Sequence, residues 1–393
     1  MIKKPKLDSI REDFPLLDQK TYLDNAATSL SPKPVLNTFV EYNEKYRANI
    51  GRGVHHLSKM ASHKYRQAHR KVANFIGAQE DEIIFLKNTT EAVNIVSRGL
   101  EWEKNDHVIV SKMEHHSNLL PWIRLEKEKE INLEFVDIRK DGSIDIEELE
   151  NKVDKNTKLV SISHASNVLG TINQIQKVGE ICDKIGTYFL VDAAQTISHS
   201  PIDVKEINCD FLCFSGHKAL APTGTGALYV KNKIQGELAP LVVGGGMVED
   251  VSLQDFSVKE GYDTYEAGTP NIGGGIAFGE AVDYLSDIGM KKIENHITEL
   301  KDYLVRELIE ISDIEVLYPN SKRIGVIPFH NRNVSSHKVA ALLDQEDIIL
   351  RSGEHCSQPL LKKLGYNGLL RASLLFYNSK EDIDNLIRAI RKY

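Results

Sequence analysis

The chain has 393 residues, 41% hydrophobic and 27% charged, which supplies a sizeable core and argues against disorder. Its formal charge of −7 arises from 56 acidic and 49 basic residues spread along the chain without a basic stripe, so nucleic acid is not the expected partner. Four cysteines (Cys182, Cys209, Cys213, Cys356) with no paired Cys-x-x-Cys suggest neither a disulfide framework nor a metal site. Met1–Lys6 is charged but no apolar h-region follows, and no run is long enough to span a bilayer; the expectation is a cytoplasmic protein.

At roughly 150 residues per domain the length suggests two domains or one large one. In chain order, Ile83-Ile84-Phe85-Leu86 predicts a strand that runs into Asn88-Thr89-Thr90-Glu91 and a helix. His107 to Val110 predicts a strand ending at Met113-Glu114-His115-His116, and Leu159 to Ser163 one ending near Asn167. Gln176 to Ile185 predicts a helix stopped by Gly186, feeding a strand through Leu190-Val191-Asp192. Phe211 to Phe214 predicts the next strand, which delivers Ser215-Gly216-His217-Lys218. Short apolar runs halted by small or polar residues, alternating with helices, specify an α/β fold with a doubly wound, mostly parallel sheet. After Gly273-Gly274-Gly275 two long amphipathic helices are expected, Ile276–Ile288 and Met290–Ile311, leading into a smaller α+β unit. The expected division is a large domain over 21–280 and a small one from 1–20 plus 281–393.

In open α/β sheets, ligands bind at the carboxyl ends of the strands, so Asp192 and Lys218 are expected to share one crevice. A lysine for a Schiff base and an acid for a pyridinium nitrogen are the two groups that pyridoxal phosphate requires. A buried lysine also has a lowered pKa, which makes its amine a nucleophile. Asn88 to Glu91, at a strand-to-helix turn, offers free N–H groups and hydroxyls to a phosphate, besides forming an ordinary capping box. One of His115 and His116 can face the crevice, as an aromatic lid and as acid or base. Cys356 lies in Arg351-Ser352-Gly353-Glu354-His355-Cys356, a segment no hydrophobic face explains. Arg351 and His355 read as cationic neighbours favouring a thiolate there, with Glu354 opposing them. Arg371, set in an apolar stretch, suits a two-pronged clamp on a carboxylate.

With these residues the chain resembles the cysteine desulfurases of the class V aminotransferase family, in the SufS-like group that includes selenocysteine lyases. The resemblance is carried by Tyr22-Leu23-Asp24-Asn25-Ala26-Ala27, Asn88 to Glu91, Met113 to Asn118, Ser166 to Thr171, Val191 to Gln195, Ser215 to Lys218, Glu266 to Asn271 and Arg371-Ala372-Ser373. Arg-x-Gly-x-His-Cys separates this group from NifS/IscS-like relatives. The fold implied is pyridoxal phosphate (PLP) fold type I. Among the implied roles, Lys218 holds the cofactor and moves the substrate α-proton, and Asp192 meets the ring nitrogen. Gln195 meets the phenolic oxygen, and His115 stacks on the ring. Thr89, Thr90, Ser215 and His217 hold the phosphate, joined by Thr269 from the neighbouring subunit of a homodimer. Asn167 and Arg371 bind the substrate carboxylate, Arg351 lines the loop, and Cys356 takes the sulfur.

The activity implied is conversion of L-cysteine to L-alanine with a persulfide on Cys356, supplying iron–sulfur cluster assembly through a SufE- or SufU-type acceptor or small thiols. Selenocysteine lyase, with L-selenocysteine as substrate, is the alternative within the group. A plain transaminase in which Cys356 is incidental is the alternative outside it. Two departures stand out: Gly51 replaces a frequent histidine, and Glu354 replaces a second histidine before His355.

Overall fold

The computed structural model describes residues 7–51 and 53–393; the charged Met1–Lys6 run and Arg52 lie outside the described residues. Seven strands form the central sheet: β1 (Ile83–Leu86), β2 (His107–Ser111), β3 (Asn132–Val136), β4 (Thr157–Ser163), β5 (Tyr188–Asp192), β6 (Phe211–Ser215) and β7 (Gly226–Val230). Their order across the sheet is β1-β7-β6-β5-β4-β2-β3. Neighbours from β6 to β3 pair parallel, while β7 runs antiparallel to both β6 and β1.

Helices cover both faces of this sheet, so its central strands read as unbroken apolar runs rather than alternating ones. Val108 to Val110, Phe189 to Val191 and Phe211 to Phe214 are all 0% exposed. The strand period of two then sends Ile109, Val191 and Leu212 into one core and Val108, Leu190 and Phe211 into the other.

A second sheet is built from β8 (Ile314–Val316), β9 (Val326–Asn331), β10 (Arg351–Gly353) and β11 (Leu369–Ser373), antiparallel in the order β8-β9-β11-β10. Helices Ile272–Ile288 and Met290–Ile309 lead towards it, broken at Gly289, whose φ of +96° suits glycine. The second helix was expected to reach Ile311. It stops at Ile309 because Ile311 N reaches Leu308 O, tightening the last turn to three-residue spacing. The N-terminal segment rides on the second sheet: Thr21–Tyr22 pairs parallel with Ile348–Ile349, and Arg11 bridges Asp382 at 2.7 Å. Among the described residues, no helix is long and apolar enough to cross a membrane.

Candidate active site

The carboxyl ends of β1, β2, β4, β5 and β6 converge on a cavity of about 210 Å³, closed from the other side by β10, β11 and the loop between β10 and the following helix. All the site candidates except Thr269 line it.

One wall is a cup of hydroxyls and N–H groups. β1 ends at Asn88, which caps the helix Thr89–Gly99 by accepting from Glu91 N at 3.0 Å; cap and cup are thus the same turn. Thr89 N donates to Ser215 Oγ at 2.9 Å, and the two hydroxyls meet at 3.0 Å. Thr90 Oγ1 meets Ser117 Oγ at 2.7 Å. His217 is neutral, its pKa pushed down to about 4 by burial and then by Lys218, so its ring brings one N–H donor. Hydroxyls and N–H groups at a helix N-terminus suit a phosphate.

At the centre, Asp192 closes β5 in register with Ser163 and Cys213. It is buried and accepts from Ala194 N at 2.9 Å. Burial raises its pKa against the pull of that N–H and of Lys218. A carboxylate in that state gains from a cationic N–H seated against it, which a protonated pyridine nitrogen provides. Lys218 follows β6 by one short turn, and burial lowers its pKa to about 8. Asp192 resists that fall, while Arg371 and Arg351 add to it. His115 lines the cavity and His116 does not. The His115 ring takes Ser117 N on Nδ1 at 3.1 Å, which leaves the proton on Nε2. Burial and then Lys218 push its pKa down to about 3, so it is a neutral ring at physiological pH.

The far wall carries the charge. Arg351 and Arg371 are direct partners in the antiparallel β10–β11 register. Arg371 is 2% exposed; it donates to Asp24 Oδ1 and to Asn167 O, both at 3.0 Å. Among the described residues its Nε has no partner. Two cations face one aspartate here, an arrangement that fits an anionic ligand.

Cys356 sits in a tight strand-to-helix turn beside them. His355 and Cys356 both have left-handed backbones, φ +52° and +57°, an unfavourable conformation for side chains of their kind. Three bonds hold it: Asn167 Nδ2 donates to His355 O at 2.7 Å, Ser357 Oγ donates to Asn167 Oδ1 at 3.0 Å, and His116 N donates to Cys356 O at 2.9 Å. The Asn167 amide is therefore engaged by the loop.

His355 was expected to act as a cation. Its Nε2 meets Leu369 O at 3.1 Å and burial, then Arg371, lower its pKa to about 3, so it is neutral and the local positive charge comes from Arg351, Arg371 and Lys218. Glu354 is exposed and accepts from Gln358 Nε2 at 2.6 Å, turned away from the cavity.

Thr269 is exposed and lies outside this cavity, beside Gly51, in a second hollow of about 400 Å³. Gly51 has φ +90°, which gives its identity a backbone reason. Asp24 and Ser117 belong to the site but carried no role in the sequence reading. Both stand inside the quoted motifs, and their partners became visible only on folding.

This arrangement is that of PLP fold type I, and pyridoxal 5′-phosphate is the cofactor its groups fit. The aminotransferase class-V family matches residues 21–386. A probable cysteine desulfurase of Pyrococcus abyssi is 42% identical over 390 residues, 98% of this chain and 97% of that one. The apo cysteine desulfurase of Thermococcus onnurineus NA1 superposes with a TM-score of 0.96 at 41% identity, over 100% of this chain and 98% of its own. The cysteine desulfurase CsdA of Escherichia coli, solved with an S-sulfonic acid, does so with a TM-score of 0.93 at 30% identity, over 99% and 98%. The chain belongs to the class V aminotransferase family, and it is a PLP-dependent enzyme.

Proposed function

We propose that the protein is a cysteine desulfurase that converts L-cysteine to L-alanine and keeps the sulfur as a persulfide on Cys356 for iron–sulfur cluster assembly. One observation carries this reading: Cys356 shares a single small cavity with Lys218, Asp192 and Arg371. Bound pyridoxal phosphate supplies an electron sink for charge released at the substrate α-carbon. Lys218 would anchor the cofactor, and its amine, with a pKa lowered to about 8, is the base within this cavity that would take the substrate α-proton. Asp192 would keep the ring nitrogen protonated, and Thr89, Thr90, Ser215 and His217 would hold the phosphate. Gln195, whose Nε2 donates to Ala26 O at 3.0 Å, would serve the phenolic oxygen, and the neutral His115 ring would pack on the cofactor ring. Arg371 and Arg351 orient the substrate carboxylate, with Asn167 as their brace. Cys356 Sγ bonds to the substrate sulfur as the Cβ–S bond breaks, and the three-carbon skeleton leaves as alanine after protonation.

Only four residues, 354–357, separate β10 from the helix Gln358–Leu364, and bonds to Asn167, His116 and Leu369 tie them down. A loop so short cannot carry sulfur far, which supports collection by a thiol-bearing acceptor that reaches the cavity. Exposed Val251, Leu253 and Phe256 on a hairpin, with Thr269 outside its own chain's cavity, support a homodimer in which Thr269 serves the neighbour's phosphate. Among the described residues the seven- and four-stranded sheets support the division between 21–280 and 281–393, while Thr21–Tyr22 pairs with Ile348–Ile349 on the small-domain side. Buried free thiols at Cys182, Cys209 and Cys213 support a reducing, cytoplasmic setting.

The test is one reaction of purified enzyme with L-cysteine, scoring alanine and sulfide together, with and without an acceptor. Sulfur label on Cys356 is expected, with alanine and sulfide in equal yield once excess reducing thiol is present to release the persulfide sulfur as sulfide. Keto acid without sulfide points to a transaminase. Turnover confined to L-selenocysteine points to a lyase.

A further inference from the structure

Residues 265–271 carry Thr269 towards the helix Ile272–Ile288. At the helix end the loop is held by Asn271, which accepts from Gly274 N at 3.0 Å. At the other end it is held by Glu266, whose side chain is 6% exposed and turned inward. Glu266 Oε1 accepts from Phe85 N at 2.6 Å and meets His69 Nε2 at 2.8 Å; Oε2 accepts from Tyr65 OH at 2.7 Å. His69 is wholly buried, its ring stacked between Phe85 at 3.9 Å and Tyr262 at 4.0 Å. Its Nδ1 faces Tyr65 O at 3.1 Å, so both ring nitrogens have a partner.

A buried carboxyl with three partners is rigid, and it lies outside the Lys218 cavity. Its position links two things. The Phe85 N–H points off the free edge of β1, the strand that runs on into the Thr89–Thr90 cup. The backbone of Glu266 begins the loop that presents Thr269.

We infer that Glu266, locked by His69 and Tyr65, is the positioning residue that sets the Thr269 loop for the cofactor phosphate of the neighbouring subunit. This rests on the homodimer reading above. Through Phe85 the same carboxyl braces the strand feeding its own subunit's phosphate cup, so the two phosphate sites of a dimer are tied to one buried group.

Apo-protein is titrated with pyridoxal phosphate and, separately, with pyridoxal, which lacks the phosphate; absorption of the Lys218 linkage reports both. In Thr269→Ala and in Glu266→Gln the preference for the phosphorylated form is expected to fall about tenfold, with pyridoxal affinity unchanged. The double variant is expected to be no worse than Glu266→Gln alone. Tyr65→Phe removes one donor and keeps the ring; it should lower the preference roughly two- to threefold, and it decides the matter if Glu266→Gln does not fold. If Thr269→Ala keeps the full preference, the intersubunit phosphate reading fails and this inference with it. If Thr269→Ala loses the preference while Glu266→Gln and Tyr65→Phe keep it, Glu266 has no such role. An equal loss of affinity for both forms also overturns it, since that marks a general structural defect.

Discussion

Arg351 and Arg371 stand directly opposite one another on neighbouring antiparallel strands, both lining the cavity that holds Lys218. Like charges in that relation destabilise a sheet, so the pair costs the empty protein stability and gains from a bound anion. Arg351→Gln is therefore expected to leave folding unharmed, or to stabilise the apo-protein by about 0.2–1 kcal/mol, while raising KM for L-cysteine. Denaturant melts of apo-protein alongside steady-state kinetics check both halves. A lower melting point with unchanged KM refutes the carboxylate role.

Lys218 gives a pH dependence with a definite sign. Its amine is the reactive form, and its pKa has been lowered to about 8, chiefly by burial, with Arg351 contributing. The rate at which apo-protein forms the borohydride-trappable linkage should rise with pH and level off above about 8; a lysine at its ordinary value would go on rising past pH 10. Arg351→Gln removes one lowering charge and should move the midpoint upward. Lys218→Ala should trap no cofactor at all, as read by intact mass.

Asp192 separates stability from activity. Its folded pKa is raised, so the folded state binds its proton more tightly than the unfolded state does, and stability falls as pH climbs through that window. Asp192→Asn escapes that cost: the apo-variant is expected to be at least as stable as wild type at neutral pH, with any advantage vanishing below pH 3.8. The ring nitrogen then lacks its charge partner, and alanine formation is expected to fall by roughly 100-fold or more. Near-normal turnover in this variant removes Asp192 from the mechanism.

Cys356 offers a paired substitution. Cys356→Ala should load cofactor and show the spectral change on adding L-cysteine, yet release neither sulfide nor alanine. Cys356→Gly should be equally inactive but more stable than Cys356→Ala by about 1 kcal/mol, because glycine adopts φ +57° without the steric cost of a Cβ. Thermal melts of the two variants measure the difference; equal stability indicates a backbone that is not left-handed there.

Asn167 braces the loop, and removing its amide should uncouple cofactor from sulfur chemistry. Asn167→Ala loses the bonds to His355 O and Ser357 Oγ, at a stability cost of about 1–3 kcal/mol. Cofactor loading should stay near normal while persulfide on Cys356, read by mass, forms several-fold more slowly. Persulfide formation at the wild-type rate means the turn keeps its shape without Asn167.

Asp192, Ser215 and Lys218 could be read in advance because each ends or follows a buried apolar run, and the ends of parallel strands must gather at one edge. The same logic located the Thr89–Thr90 turn. It could not assign His355 its charge: beside two arginines, sequence spacing suggests a cation, but burial against Leu369 O makes the ring neutral. Nor could it find Asp24 as the partner of Arg371, since 347 positions separate them.

What the sequence determined by itself is local: which runs become strands, where they stop, and which reactive side chains their ends present. Only the tertiary structure decided which of those side chains are free. It committed the Asn167 amide to the Cys356 turn, set Arg351 against Arg371, turned Glu354 outward and left Thr269 beyond its own cavity. The physical reason is that backbone periodicity follows from neighbours in the chain. Protonation, pairing and exposure follow from the groups that folding brings together, and from the water it takes away.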